Sequence, residues 1–463
     1  MRKLQQTWSP VDGSLYVERP YANPRQIAAA AAAAVKAQAA WQRVPLAERQ
    51  ALCRRAVDGL VARQDAIAVE LCWQMGRPIR YGAGEVAGFA ERARYMIEIA
   101  DTALDPLLLP DKPGFRRLIR REPLGVVLLI APWNYPYLTV VNTLVPALLA
   151  GNAVLLKHSA QTPLCAERLQ QAFDAAGLPA GLFQHLHLTH ADTEALIGAD
   201  AIDYVAFTGS TAGGARVERA AAGRFIGVGL ELGGKDPAYV RADADLGHAV
   251  ATLVDGAYFN SGQSCCAIER IYVHDLLYEE FVARAVARVR QYRLGRPDDP
   301  ATTLGPLVRA AAADFVRGQI AAALAAGAVA HIDPAEFPLD RPGSPYLAPQ
   351  LLTRVDHSLR LMTEESFGPV VGVQRVATDA EALALMNDSD YGLTAAIFTR
   401  DIDAGVALGE QVACGTLFLN RCDYLDPALA WSGVKGSGRG CSLSPLGFAS
   451  LTRPKSFHIQ TAP

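Results

Sequence analysis

Leu124-Gly-Val-Val-Leu-Leu-Ile-Ala-Pro-Trp-Asn-Tyr-Pro136 opens with a continuous apolar run and ends in a segment held by two prolines. A strand with one wet face alternates apolar and polar residues, whereas a strand buried on both faces in a parallel sheet does not need to. The segments that follow keep the same rhythm. A helix runs through Leu149, then a second apolar strand, Ala153-Val-Leu-Leu-Lys157, and then a helix from Pro163 to Ala176 that Gly177 closes. The next strand, Asp203-Tyr-Val-Ala-Phe207, runs into Thr208-Gly-Ser-Thr-Ala-Gly-Gly214, with a helix beginning near Ala212. This βαβ repetition predicts a doubly wound α/β sheet with ligands at the carboxyl ends of its strands.

Upstream, residues 24 to 41 and 45 to 75 read as helices, the second entered through Pro45 and ended by Gly76-Arg-Pro. A third helix is expected over Ala83 to Asp101, with Val86, Phe89, Ala93 and Ile97 at helical spacing. Arg116, Arg117, Arg120 and Arg121 alternate with Phe115, Leu118 and Ile119, which favours a strand over an anion or nucleic-acid patch.

A chain of 463 residues exceeds one ordinary core, so two or three domains are expected. With 51% hydrophobic and 20% charged residues and a net charge of -3, it reads as a globular protein with no electrostatic reason to bind nucleic acid or an anionic membrane. The start carries no apolar run behind its two positive charges, and Ala28 to Val35 is too short to span a bilayer, so a cytoplasmic enzyme is expected. The eight cysteines include no Cys-x-x-Cys, and His185, His187 and His190 alternate like one face of a strand, so no metal site is expected.

Three segments carry chemistry. In Gly256 to Arg270, Cys265 follows Gly-Gln-Ser, where Gly262 permits a close turn and small neighbours leave room for a ligand. A thiolate there is a strong nucleophile toward a carbonyl carbon, although an unpaired cysteine is also a common core residue. The turn from Thr208 to Gly214 would face dinucleotide phosphates with backbone N–H groups and a helix N-terminus, or be only a tight βα turn. Glu231, between apolar neighbours and before two glycines, is costly to bury unless it is protonated, hydrogen-bonded or used, which leaves a general base and a structural ion pair as readings.

Taken together, Pro132-Trp-Asn-Tyr-Pro, Phe207-Thr-Gly-Ser-Thr, Leu230-Glu-Leu-Gly-Gly-Lys, Asn260-Ser-Gly-Gln-Ser-Cys, Glu364-Glu-Ser-Phe-Gly-Pro and Gly433-Val-Lys-Gly-Ser-Gly resemble, in order, the motifs of the NAD(P)-dependent aldehyde dehydrogenase superfamily. The resemblance implies the aldehyde dehydrogenase-like fold: a Rossmann-like cofactor domain over 1–101 and 122–232, an α/β catalytic domain over 233–446, and a small β oligomerisation element from 102–121 and 447–463. It implies a homodimer or homotetramer that oxidises an aldehyde to the acid with NAD or NADP. Cys265 would form a thiohemiacetal and then a thioester, Asn134 would hold the oxyanion, and Glu231 would activate water. Lys157, Gly209, Ser210, Gly214, Glu365 and Phe367 would serve the cofactor, and Trp133, Trp431 and Tyr424 the substrate.

Three departures from the family pattern stand out. Ala160 replaces the acidic residue that many NAD-preferring members place there, so NADP is expected to be accepted beside NAD, with His158 as a possible phosphate contact. Ser432 stands where glycine is common. In the loop Asn420-Arg-Cys-Asp-Tyr-Leu-Asp426, Arg421 suits an acidic semialdehyde and Asp423 and Asp426 an amino aldehyde, with a solvated loop as the plainer reading. A CoA-acylating dehydrogenase is disfavoured by Glu231, whose activated water would compete with a thiol. A cysteine hydrolase lacks a histidine near Cys265 in sequence, and a non-catalytic binding protein on the same fold would not need nucleophile, base and oxyanion residue together.

Overall fold

In the computed structural model, which describes residues 3–461, Val126–Ile130 is the centre of a six-stranded sheet and is buried along its whole length. Parallel to it lie Ala153–Lys157 and then Phe183–His185 on one side, and Tyr204–Thr208 and then Gly227–Glu231 on the other. Gly438–Arg439 closes one edge antiparallel to Leu230 and Glu231. The chain order reverses at the central strand, so the carboxyl ends of Val126–Ile130 and Tyr204–Thr208 open a crevice.

The second sheet has seven strands in the order Val329–Ala330, Gln350–Thr353, Val370–Val376, Ile268–His274, Asp236–Val240, Thr394–Phe398 and Thr416–Leu419, all parallel except the first. Separate apolar clusters fill its two faces, while a third cluster, around the first sheet, reaches as far as Trp431 and Phe448. The arginine-rich segment is a strand, Phe115–Pro123, paired over nine residues with Thr452–Gln460 and flanked by Leu107–Leu108. Its aromatics pack across the pair: Phe115 stacks on His458 at 4.9 Å, and Arg120 lies 4.7 Å over the Phe457 ring.

The helical region departs from the sequence reading in two places. The expected helix over 45–75 is two helices, Leu46–Val61 and Gln64–Met75, because Arg63 leaves helical geometry at φ −109°, ψ 9° without any glycine or proline to announce the break. The next helix is longer than expected, Ile79–Leu104. Its glycines weaken helix propensity, but Gly82 is required by packing, since a Cβ there would lie 2.6 Å from Ala68 Cβ. The sequence reading also did not anticipate the N-terminal hairpin of Leu4–Trp8 and Leu15–Pro20. No helix among the described residues is long and apolar enough to cross a membrane.

Candidate active site

The helix Leu246–Tyr258 delivers the chain into a turn where Asn260, Ser261 and Gly262 adopt φ of 52°, 57° and 70° in succession. Glycine takes such a φ freely and asparagine tolerates it, whereas serine does so only under strain. A Cβ at 262 would lie 2.2 Å from the Gly368 carbonyl oxygen, so glycine is needed there for space as well as for φ. The other two are held by side-chain bonds. Ser261 Oγ donates to Gly305 O at 2.8 Å, Asn260 Nδ2 donates to Asn134 O and Gln263 O at 3.3 and 3.2 Å, and Gln263 Oε1 accepts from Val308 N at 2.8 Å. This turn presents Cys265, half-buried, to two cavities that meet at it. Cys266 is buried instead, and its thiol is pushed up by its hydrogen bond to Cys265, by burial and by Asp423.

Asn134 follows the central strand of the first sheet and reaches the nucleophile turn, its Nδ2 donating to Gln263 O at 3.2 Å. A buried ion pair that the sequence reading missed fixes this loop. Arg77 donates to Glu85, to Asn134 O at 2.6 Å and to Asn260 Oδ1 at 3.3 Å. Glu85 Oε1 in turn accepts the N–H groups of Tyr137 and Leu138, at 3.0 and 3.1 Å, where the helix Leu138–Ala150 begins. A signal was present in the sequence: Glu85 shares its helical face with Phe89 and Met96, where a carboxylate needs a partner.

Glu231 lines both cavities. Its Oε2 accepts from Thr208 Oγ1 at 2.9 Å, and its Oε1 accepts from Ser442 Oγ. Burial raises its pKa, against the opposing pull of Ser442, Thr208 and Arg92. Among the described residues no ion pair holds it, and each of its oxygens is taken by a neutral hydroxyl.

The crevice of the first sheet leads from Cys265 past Glu365 and Phe367 to Lys157. Burial lowers the Lys157 ammonium to about 8, and burial with the nearby Glu269 raises Glu365 to about 8 against the pull of the Gly234 N–H and Lys235. Glu365 is held by the Gly234 N–H at 3.1 Å, and a Cβ on Gly233 would collide with its carboxylate at 2.2 Å. Glu269, paired with Lys235, accepts the N–H groups of Ser366 and Phe367 and so sets that loop. Ser210 caps the helix Thr211–Ala221, and Gly209 lies in the turn, where a Cβ would meet the Phe207 ring at 2.6 Å. Gly214 belongs to the helix rather than to the turn, and its missing side chain admits Leu232.

Two expectations are corrected here. His158 is buried, with Nε2 on Pro136 O at 3.1 Å and Nδ1 on Thr162 Oγ1 at 3.2 Å, and burial lowers it to about 4, so it is neutral and turned away from any phosphate. Ser159, His190 and Arg216 line that end of the crevice instead. Trp133 packs edge-on against Phe367 at 5.6 Å on the cofactor side of Cys265, not in the substrate tunnel.

The model of the aldehyde dehydrogenase family matches residues 2–457. The chain belongs to the aldehyde dehydrogenase family. It is 37% identical over 449 residues to the NADP(+) succinate-semialdehyde dehydrogenase of Deinococcus radiodurans, covering 97% of this chain and 93% of that protein. Among solved structures it resembles the NADP complex of the NADP-dependent glyceraldehyde-3-phosphate dehydrogenase of Bacillus halodurans C-125, with a TM-score of 0.94 at 32% identity over 99% of this chain and 96% of the other. It also resembles the succinic semialdehyde dehydrogenase of Streptococcus pyogenes with NADP+, with a TM-score of 0.94 at 28% identity over 98% and 99% of the two chains. The protein oxidises an aldehyde with reduction of NAD(P).

The second cavity of this aldehyde dehydrogenase opens on the other side of Cys265, with a volume of about 500 Å³. Trp431 and Tyr424 line it, and so does Asp423, whose Oδ1 accepts from both Ser264 Oγ at 3.1 Å and Cys266 Sγ at 3.0 Å. One carboxylate thus ties down the residues on either side of the nucleophile. Arg421 and Asp426 take no part in the wall: Arg421 lies 3.7 Å over the Tyr424 ring, and Asp426 accepts the Ala428 N–H. Elsewhere, Glu167, His185 and His187 offer ligand atoms within 4.8 Å of one another, but Arg19 already holds the Glu167 carboxylate at 2.7 and 3.1 Å.

Proposed function

We propose that Cys265 Sγ attacks the aldehyde carbon, with Asn134 Nδ2 and the Cys265 backbone N–H donating to the developing oxyanion. One such donor is typically worth about 2.7–4 kcal/mol. When bound in the crevice, NAD(P) supplies the two-electron acceptor for the oxidation. Glu231 takes a proton from the water that attacks the resulting Cys265 thioester, and the thiolate leaves. The observation that carries this reading is the meeting of both cavities at Cys265, with Glu231 on the wall of each. The test is pre-steady-state NADPH formation. Cys265→Ala forms none, whereas Glu231→Gln gives one equivalent per site and then turns over about 10²–10⁴-fold more slowly than the parent. Full dehydrogenase activity in Cys265→Ala would sink the mechanism.

Ser159 and His190 favour a 2′-phosphate at the ribose end of the crevice, where position 160 is alanine, and Arg216 stands there paired with Glu194 at 2.6 Å. The relatives named for succinate semialdehyde and NADP(+) make that pair the reference substrate and cofactor. The domain division into 1–101 with 122–232, 233–446, and 102–121 with 447–463 belongs to the same reading, as does assembly into a dimer or tetramer through the last element. Leu107, Leu108 and Leu109 are exposed beside its strands, as an interface between copies requires. Eight free cysteines suit a reducing cytoplasm.

A further inference from the structure

The wall of the substrate cavity carries a charge pattern of its own. Apart from Glu231, its charged groups are three carboxylates, Glu91, Asp255 and Asp423, and one guanidinium, Arg92. Arg92 is buried, gives Nη1 to the neutral acceptors Leu138 O at 2.9 Å and Asn142 Oδ1 at 3.2 Å, and lies in the fields of Glu85 and Glu231, so one cation stands against three carboxylates in the wall. Arg421 of the neighbouring loop is not in the wall and lies 3.7 Å over the Tyr424 ring. Tyr135, Phe259, Tyr424 and Trp431 contribute aromatic surface to the same cavity, and the Tyr424 hydroxyl donates to Glu91 at 2.9 Å. Carboxylates beside aromatic faces are the chemistry that recognises an ammonium group, by Coulomb attraction and by cation–π contact. A substrate carboxylate in the same place would meet like charge. Burial also raises Asp255 against the pull of Arg288, and lifts Asp423 to about 7 against the pull of Cys266, Ser264 and Arg92.

We infer that the aldehyde taken by this enzyme carries a cationic amine, its ammonium seated among Glu91, Asp255 and Asp423 and the aromatic wall, and its carbonyl carbon at Cys265. The inference rests on the mechanism proposed above and narrows its substrate. The ammonium does not react: the aldehyde, water and NAD(P)+ give the ammonium carboxylate, NAD(P)H and two protons. This chain then differs from the relatives named for succinate semialdehyde, whose substrate carries the opposite charge.

The test compares kcat/KM at saturating NADP for charge-matched pairs on the intact enzyme: trimethylammonioacetaldehyde against its carbon isostere 3,3-dimethylbutanal, and 3-aminopropanal against butanal, with succinate semialdehyde as the anion. Each cation is expected to exceed its neutral partner by about tenfold or more, an advantage that shrinks with added salt. The same ratio falls by about tenfold in the double variant Glu91→Gln, Asp255→Asn. Cations no better than their isosteres overturn the inference, as does a preference for succinate semialdehyde that disappears in Arg92→Met. The comparison within the parent enzyme needs no variant to fold. Failure of every aldehyde, the neutral ones included, counts instead against the Cys265 chemistry and removes the inference with it.

Discussion

Asp423 sits in left-handed backbone, φ 48°, with both of its hydrogen bonds on one oxygen, and this combination separates its charge from its geometry. Burial lifts its pKa from 3.8 to about 7, so the folded protein holds its proton over a range where the unfolded chain has released it. The charge therefore costs nothing below about pH 4, costs progressively more up to about pH 7, and is constant above. Asp423→Asn keeps an acceptor oxygen and removes the charge, so its Tm is expected to exceed that of the parent most at pH 8 and to converge with it toward pH 4, as melting curves across that range would show. Asp423→Ala removes the acceptor too, leaving the Ser264 and Cys266 donors unpaired at about 1–3 kcal/mol each. Its kcat is expected to fall by about tenfold or more, further than in the asparagine variant, because the nucleophile loses its tether on both sides.

The helix Ile79–Leu104 and the helix Leu138–Ala150 are joined through Glu85, which closes the N-terminus of the second and neutralises Arg77. Both side chains of the pair are nearly sealed, 3% and 0% exposed. Glu85→Gln strands the guanidinium, at a cost of about 3–5 kcal/mol, read as a lower denaturant midpoint with an unchanged m-value. The same change frees the loop that carries Asn134, so kcat drops together with stability. The buried central strands of the first sheet, Val126–Ile130, Ala153–Lys157 and Tyr204–Thr208, were legible in sequence, the second to the residue, because such strands are apolar along their length, whereas the more exposed Gly227–Glu231 and Gly438–Arg439 were not. The break between Leu46–Val61 and Gln64–Met75 was not, since Val61, Ala62, Arg63 and Gln64 around it are all acceptable in a helix.

At the scale of the whole molecule, two cavities approach one thiol from opposite sides, so cofactor and substrate are separate problems of recognition. On the cofactor side, NADP is expected to be used with an NAD preference no greater than about a thousandfold in kcat/KM, near 4 kcal/mol, and Ala160→Glu to move the ratio toward NAD. Steady-state kinetics with both cofactors decides it. Local sequence chemistry singled out Cys265 and Glu231 as candidates, and the motifs' resemblance to the family added Asn134 and Glu365. The sequence could not show that His158 turns inward, that Trp133 stands on the cofactor side, or that Asp423 faces the cavity while Arg421 and Asp426 do not. Those outcomes depend on which distant segment fills the space beside each side chain. Around Cys265, five such segments converge from 77, 134, 231, 365 and 423, and burial, charge balance and the cavity wall came only from their tertiary packing.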